Sequence, residues 1–134
     1  MKRIFLAFWL WFHALSAMAA KSPCDDVDRS LSAVDARRLS LSVSTQLAMD
    51  GSDVQESFQF RGWWILYTET HQSDEVYLFY KNDPSASRYV GLWSGIARPE
   101  ETLQIEKWTK KNVIGIPSVL AKCFAWHMTK HKNS

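Results

Sequence analysis

The fold of this chain is decided by three short apolar segments at its centre, residues 63–70 (WWILYTET), 75–81 (EVYLFYK) and 88–94 (RYVGLWS). They are rich in aromatic and β-branched residues, which prefer the half-buried surface of a pleated sheet. The polar turn sequences HQSD at 71–74 and NDPS at 82–85 separate them. This spacing predicts an antiparallel meander of three strands.

A fourth strand and a β-bulge are expected just before these segments. Phe58 and Phe60 alternate with polar neighbours, as in a strand with one buried face. Arg61 and Gly62 then break the alternation, which favours a bulge at this point. The predicted sheet therefore has three to four strands.

An N-terminal helix is predicted over residues 32–47. Ser32 and Asp35, three residues apart, resemble a capping box. Apolar side chains recur at helical spacing after them, which places them on one face of the helix.

Two more helices are predicted after the sheet. Pro99 stands at the start of the first, with Leu103 and Trp108 as its expected anchors. Pro117 can open the second. One face of the second helix carries Val119, Leu120, Cys123, Phe124 and His127. The chain is thus assigned to the α+β class, with a meander flanked by an N-terminal helix and two C-terminal helices.

The N-terminus has the three-part layout of a secretory signal peptide. Lys2 and Arg3 precede an apolar run over residues 4–15, and Ala17-Met18-Ala19 supplies the small residues of a cleavage site. The apolar run is shorter than the roughly 20 residues that a membrane-spanning helix needs. We therefore expect residues 1–19 to be removed, leaving residues 20–134 as one small domain without a membrane span in the periplasm or outside the cell.

The chain has two cysteines, Cys24 and Cys123, near the two ends of the expected domain. Two cysteines in a small exported domain normally pair, so a single disulfide is predicted. Lipid attachment at Cys24 does not fit the preceding residues 21–23 (KSP), and a catalytic thiol lacks a histidine nearby in sequence.

Charge is balanced over the expected domain but unevenly distributed. Residues 20–106 carry a formal charge of −6, whereas residues 107–134 contain lysines without acids and carry +6. A neutral total argues against nucleic acid as a partner, because nucleic-acid binding needs a basic surface. The acidic and basic parts of the domain either neutralise each other within the fold, or the basic part forms a docking face for an acidic partner.

Two groups of residues are candidate metal ligands. Asp25, Asp26 and Asp28 lack the spaced oxygen ligands of a calcium loop. His127 and His131 could share a helix face, but zinc needs a third protein ligand. We expect neither a metal nor another cofactor.

Catalytic motifs are absent from the sequence: it has no Gly-x-Ser-x-Gly, His-Glu-x-x-His or phosphate-binding glycine loop. His71, with Asp74 and Glu75 close by, could perform acid–base chemistry. Polar turn residues of this kind are more often simply solvated, so no catalytic residue is assigned.

The aromatic residues of the sheet are the stronger functional signal. Neighbouring strand residues point to opposite faces, so the predicted strands are apolar on both sides. Either helices cover both faces, or one face meets a second protomer, a protein partner or an apolar ligand. The predicted binding residues are Trp63, Trp64, Tyr77, Phe79 and Trp93.

Seven short segments carry a resemblance to known sequences: 70–75 (THQSDE), 78–80 (LFY), 87–90 (SRYV), 92–95 (LWSG), 115–117 (GIP), 120–121 (LA) and 123–127 (CFAWH). Together they resemble a group of small exported hypothetical proteins of Gram-negative bacteria. The resemblance covers most of residues 20–134. It implies a periplasmic or secreted soluble domain and carries no activity or functional residue.

These features favour an exported binding protein, such as an inhibitor or immunity-type protein, that uses an aromatic sheet face to meet a protein partner or a second copy. The alternative is a small periplasmic hydrolase or ligand carrier with His71 or His127 in its site. A deep pocket that gathers either histidine with carboxylates would favour the enzyme, and a flat aromatic face would favour binding.

Overall fold

A computed structural model describes residues 21–131, so the predicted signal peptide at 1–19 lies outside the described residues. The elements in chain order are α1 (Ala33–Leu47), β1 (Asp53–Phe60), β2 (Trp63–Glu69), β3 (Val76–Tyr80), β4 (Gly91–Ser94), α2 (Thr102–Asn112) and α3 (Ser118–Trp126). A 3-10 turn, Pro99–Glu101, precedes α2, and a π-helical turn, His127–His131, extends α3.

The four strands form one antiparallel sheet in the order β1-β2-β3-β4. This confirms the predicted meander and the additional strand at its start. The helix before the sheet and the two helices after it confirm the α+β class. At the start of α1, the backbone N–H of Asp35 donates to the Ser32 hydroxyl at 3.1 Å, as the sequence predicts.

Arg61 and Gly62 do not form the predicted bulge but the turn of a tight hairpin. Their φ angles are 47° and 83°, and the residues on either side pair directly. Two successive positive φ values are typical of the type I′ turn, whose twist suits two-residue hairpins. The irregularity in the ladder lies earlier in β1, where the register shifts between Val54 and Glu56.

Helices cover both faces of the sheet, which gives a three-layer arrangement. The cluster on the α1 side is built from Leu39, Val43, Val54, Leu66, Val76, Leu78 and Tyr80. The larger cluster on the other side includes Phe58, Ile65, Tyr77, Phe79, Ile105, Leu120 and Phe124, from the sheet, α2 and α3. The two-residue alternation along β2 and β3 therefore assigns each side chain to its face correctly.

The last strand is shorter than predicted, because only Gly91–Ser94 of residues 88–94 lies in the ladder. The segment after α2 passes close above this strand. A β-carbon built at Gly91 would lie 2.8 Å from Cγ2 of Val113, closer than side-chain atoms approach, so glycine permits this contact.

The prediction that Leu103 anchors α2 is wrong, because its side chain is 67% exposed. Ile105 and Thr109 are the buried residues of this helix, and Trp108 packs against the larger cluster. Leu103 and Trp108 are five positions apart, which at about 3.6 residues per turn separates them by roughly 140° around the helix axis, so both cannot lie on the buried face. The helix itself begins at Thr102 rather than Pro99.

A disulfide joins Cys24 to Cys123, which confirms the predicted pairing. It ties the segment before α1 to the buried face of α3. The same N-terminal segment reaches the sheet, where Asp28 and Gln59 exchange backbone hydrogen bonds of 2.9 and 2.8 Å. The outer side of β1 is therefore partly covered. Between residues 21 and 131, none of the helices has the length and apolar character required to cross a membrane.

Candidate functional site

Tyr77 and Phe79, two of the predicted binding residues, are core residues. Both are almost fully buried, and their rings pack edge-on against Phe124 with centroids 5.1 and 5.0 Å away. They are not available to a partner in the folded protein. The alternation along β3 correctly places Tyr77 and Phe79 on one face of the sheet. That face is covered by α3, and strand periodicity does not predict which faces helices cover.

The three tryptophans among the predicted binding residues are half-buried and pack into the two cores. Trp93 lies edge-on to Trp108 at 4.8 Å, on the side of α2 and α3. Trp63 packs against the same cluster, whereas Trp64 packs against the cluster under α1. Neither face of the sheet centre is therefore an open aromatic surface.

His71 lies on the exposed turn between β2 and β3. Its Nε2 is 3.0 Å from a carboxylate oxygen of Asp53, and this hydrogen bond is the main reason why its pKa is raised. Its partners are Asp53 and Glu69, not the Asp74 and Glu75 that are near it in sequence. The contact joins the hairpin turn to the start of β1.

His127 is buried at the end of α3 and belongs to a polar cluster that crosses three parts of the chain. Its Nε2 is 3.3 Å from Oε2 of Glu56, and Nη2 of Arg29 donates to Oε1 of the same carboxylate at 2.7 Å. The Arg29 guanidinium also lies 3.4 Å from the centroid of the Phe58 ring. The hydrogen bond with His127, followed by the nearby positive charges, lowers the pKa of Glu56 to about 2.

This cluster was not found from the sequence, because its members are far apart along the chain. The available signal was the placement of His127 on the inward face of α3, since a buried ionisable group needs a partner. The cluster connects the N-terminal segment, β1 and α3. His71 lies apart from it, on the turn between β2 and β3.

An acidic cleft lies between the β2–β3 turn and the segment after β4. Its volume is about 490 Å³, and it is lined by Glu69, Ser73, Asp74, Glu75, Gly95, Ile96, Ala97 and Met128. Three of these residues carry carboxylates and none is basic. Burial and a hydrogen bond with Glu75 raise the pKa of Tyr67, so its phenol remains protonated. The lining suits a positively charged group with an apolar stem.

Beside the acidic cleft, β4 forms an open edge of the sheet. Within residues 21–131, no segment pairs with its outer side. Large apolar side chains are exposed on this strand and next to it: Leu92 (38%) within β4, Val90 (44%) just before it and Ile96 (97%) after it. Open edges are usually protected by charged residues or proline, and residues 89–97 contain neither.

The helix α1 leaves β4 uncovered. Leu92 pairs with Leu78, whose side chain belongs to the cluster under α1, so both point to the same face of the sheet. Leu78 is fully buried there, but Leu92 is partly exposed. We use the name β4 edge surface for the outer side of β4 with Val90, Leu92 and Ile96, together with the acidic cleft.

The aspartates near the N-terminus serve local turns. The carboxylate of Asp28 accepts from the backbone N–H and hydroxyl of Ser30, and that of Asp25 accepts from the backbone N–H of Ser22. In the described part of the chain, no group of three or more His, Cys, Asp or Glu side chains is placed to hold a metal ion.

Comparison with known proteins adds no family to this description. No family model matches the chain, and neither the curated proteins nor the solved structures compared with it give a match.

Proposed function

We propose that this chain is an exported binding protein of the inhibitor or immunity type, and that it recognises protein through the β4 edge surface. The observation that carries the proposal is the open edge of β4, with exposed Val90, Leu92 and Ile96, directly beside a cleft lined by carboxylates.

The edge and the cleft supply two complementary parts of a recognition site. An extended segment that adds to a strand edge gains main-chain hydrogen bonds, and pockets for its side chains give specificity. The carboxylates of Glu69, Asp74 and Glu75 would select an arginine or lysine at one position of that segment. The expected ligand is therefore an extended stretch that combines apolar residues with one basic residue.

The disulfide supports export. Structural disulfides form in oxidising compartments such as the periplasm and the cell exterior, and are rare in the cytosol. Cys24–Cys123 closes most of the domain into one loop, a common way to stabilise a small exported fold.

The alternative, a hydrolase or ligand carrier built on a histidine, has less support. Neither His71 nor His127 is among the residues lining the acidic cleft. Each is instead engaged by a carboxylate in another place, Asp53 and Glu56 respectively.

Selection of displayed random peptides on the oxidised domain tests the proposal. We expect enrichment of peptides that carry one basic residue within an apolar, extended segment. Leu92→Lys should abolish the enrichment, because it places a charge on the edge. Leu41→Lys is the matched control, since Leu41 is exposed on α1, away from β4.

Two results would contradict the proposal. One is the absence of any enriched peptide class on the wild-type domain. The other is equal binding of the enriched peptides to wild type and Leu92→Lys, which would place the binding surface elsewhere.

A further inference from the structure

We propose that one end of the domain binds the surface of an anionic phospholipid bilayer. This end consists of the turn between β1 and β2, the connection that leaves β3 towards β4 and the turn between α2 and α3. We use the name basic end for residues 61–62, 81–88 and 110–118. It shares no residue with the β4 edge surface, so the proposal goes beyond the proposed function and concerns a second surface.

The order of the strands brings these three segments together. In an antiparallel meander, the first and third connections lie at the same end of the sheet. The segment after α2 reaches that end at two points, because Val113 lies close above Gly91 at the start of β4, and Gly115 lies beside Trp63 at the start of β2. A β-carbon built at Gly115 would be 3.7 Å from Cζ2 of the Trp63 ring. The three segments therefore lie side by side.

The basic end is strongly cationic. Its five basic residues are all exposed, and they are Arg61, Lys81, Arg88, Lys110 and Lys111. Its one acid, Asp83, accepts a hydrogen bond of 3.2 Å from Arg38. The segments at the opposite end of the sheet, residues 48–53, 69–75 and 95–101, contain seven carboxylates and one arginine. A negatively charged surface therefore attracts one end of the domain and repels the other.

An exposed apolar side chain lies among these cations. Ile114 is 70% exposed and follows Lys111 by three residues. Next to Gly115, Nζ of Lys81 is 5.9 Å from the centroid of the Trp63 ring. Aliphatic, tryptophan and lysine side chains together are typical of surfaces that lie between lipid headgroups and acyl chains. In that position Ile114 enters the apolar layer, while the lysine stems carry their charges to the headgroups.

The types of cation favour lipid headgroups over a folded acidic protein. Three of the five are lysines, which act as point charges and do not require a fixed geometry of the anion. Mobile headgroups can arrange themselves around charges that come from three separate segments. A folded acidic surface would have to match five fixed positions around an exposed isoleucine.

Binding in this way orients the domain. The acidic cleft lies between the β2–β3 turn and the segment after β4, at the end of the sheet opposite the basic end. It therefore points away from the membrane. The β4 edge surface stays accessible to a ligand while the basic end holds the lipid.

Sedimentation of the oxidised chain with lipid vesicles measures the proposed contact. At low salt the chain should bind vesicles made of equal parts phosphatidylglycerol and phosphatidylcholine, and it should not bind vesicles of phosphatidylcholine alone. Binding should be lost at about 1 M salt, where the screening length falls to roughly 3 Å.

Three variants locate the binding surface. Lys81→Gln/Lys111→Gln should lower the partition coefficient about tenfold or more, because each basic residue near an anionic membrane adds to binding. Lys122→Gln/Lys130→Gln is the matched control, since it removes the same charge from exposed residues outside the basic end, and it should lower the coefficient by less than about threefold. Ile114→Ser should lower it several-fold without changing its salt dependence, because only apolar contact is lost. Thermal melts of all three would show that they are folded.

Three results would overturn the proposal. The first is no binding to phosphatidylglycerol vesicles at low salt. The second is an equal loss in the two double variants, which would show that only total charge matters. The third is wild-type binding by Ile114→Ser together with equally tight binding of soluble polyglutamate, which would replace the lipid by an acidic protein. Leu92→Lys, which tests the proposed function, should not weaken vesicle binding, so either proposal can fail while the other stands.

Discussion

Replacement of Glu56 by glutamine should measure the contribution of the buried polar cluster to stability. The carboxylate of Glu56 lies between His127 and Arg29, and its pKa is lowered from 4.5 to about 2. At about 1.4 kcal/mol per pH unit, this corresponds to about 3 kcal/mol in favour of the charged form. Because 31% of the side chain is exposed, solvent screens part of this energy. We expect Glu56→Gln to lower the free energy of unfolding by about 2 kcal/mol at neutral pH.

The pH dependence of this loss follows from the direction of the pKa change. A carboxylate whose pKa is lower in the folded state stabilises the fold at pH values above its unfolded pKa, here 4.5. This contribution disappears as the pH falls from 4.5 to about 2 and Glu56 is protonated in the folded state as well. The difference in stability between wild type and Glu56→Gln should therefore be full at neutral pH and close to zero near pH 2.

Urea unfolding of the oxidised domain, followed by tryptophan fluorescence at several pH values, provides the measurement. Asp50→Asn is a suitable control, because Asp50 is exposed and its carboxylate forms no ion pair with the described residues. This control should change stability by less than about 0.5 kcal/mol. The reasoning is refuted if Glu56→Gln is as stable as wild type at neutral pH, or if its deficit persists unchanged near pH 2.

Three further changes test the rest of the fold. Reduction of Cys24–Cys123 should lower the unfolding free energy by about 4 to 5 kcal/mol, as expected for a loop of this length. Two free thiols in non-reducing peptide mapping would contradict the pairing itself. Trp63→Ala and Trp64→Ala should both lower the melting temperature, because each ring packs on a different core. If one variant had the melting temperature of wild type, that ring would not contribute to the core. Gly91→Ala should cost about 1 to 3 kcal/mol in urea unfolding, because its methyl group would collide with the valine that follows α2, and a neutral effect would show that this contact relaxes freely.

The strands were predictable because a strand imposes a strict alternation on its side chains. The alternation separates Ile65 from Leu66 along β2 and Phe79 from Leu78 along β3, and the structure places the two members of each pair in different cores. At residues 61–62 the prediction of a bulge was wrong, because the structure has a two-residue hairpin turn there. A glycine after an arginine indicates positive φ without distinguishing a bulge from a two-residue hairpin.

Strand alternation did not predict whether the binding residues chosen from the sequence are exposed. Tyr77 and Phe79 were chosen because the sheet is apolar on both faces, and such a sheet is either covered or exposed. Whether this face is covered depends on where α2 and α3 pack. The residue pattern of β3 does not encode the positions of these helices. On β4, by contrast, Leu92 is partly exposed, because it extends past the cover of α1.

The sequence by itself determined the elements, their order, the face of each β2 and β3 residue and the only possible disulfide, because these depend on local periodicity and on the number of cysteines. The tertiary structure alone decided the contact of Glu56 with His127, the acidic cleft and the open edge of β4. These features join residues that are distant along the chain. Their distances are set by how helices pack on a twisted sheet, and local backbone preferences do not specify that packing.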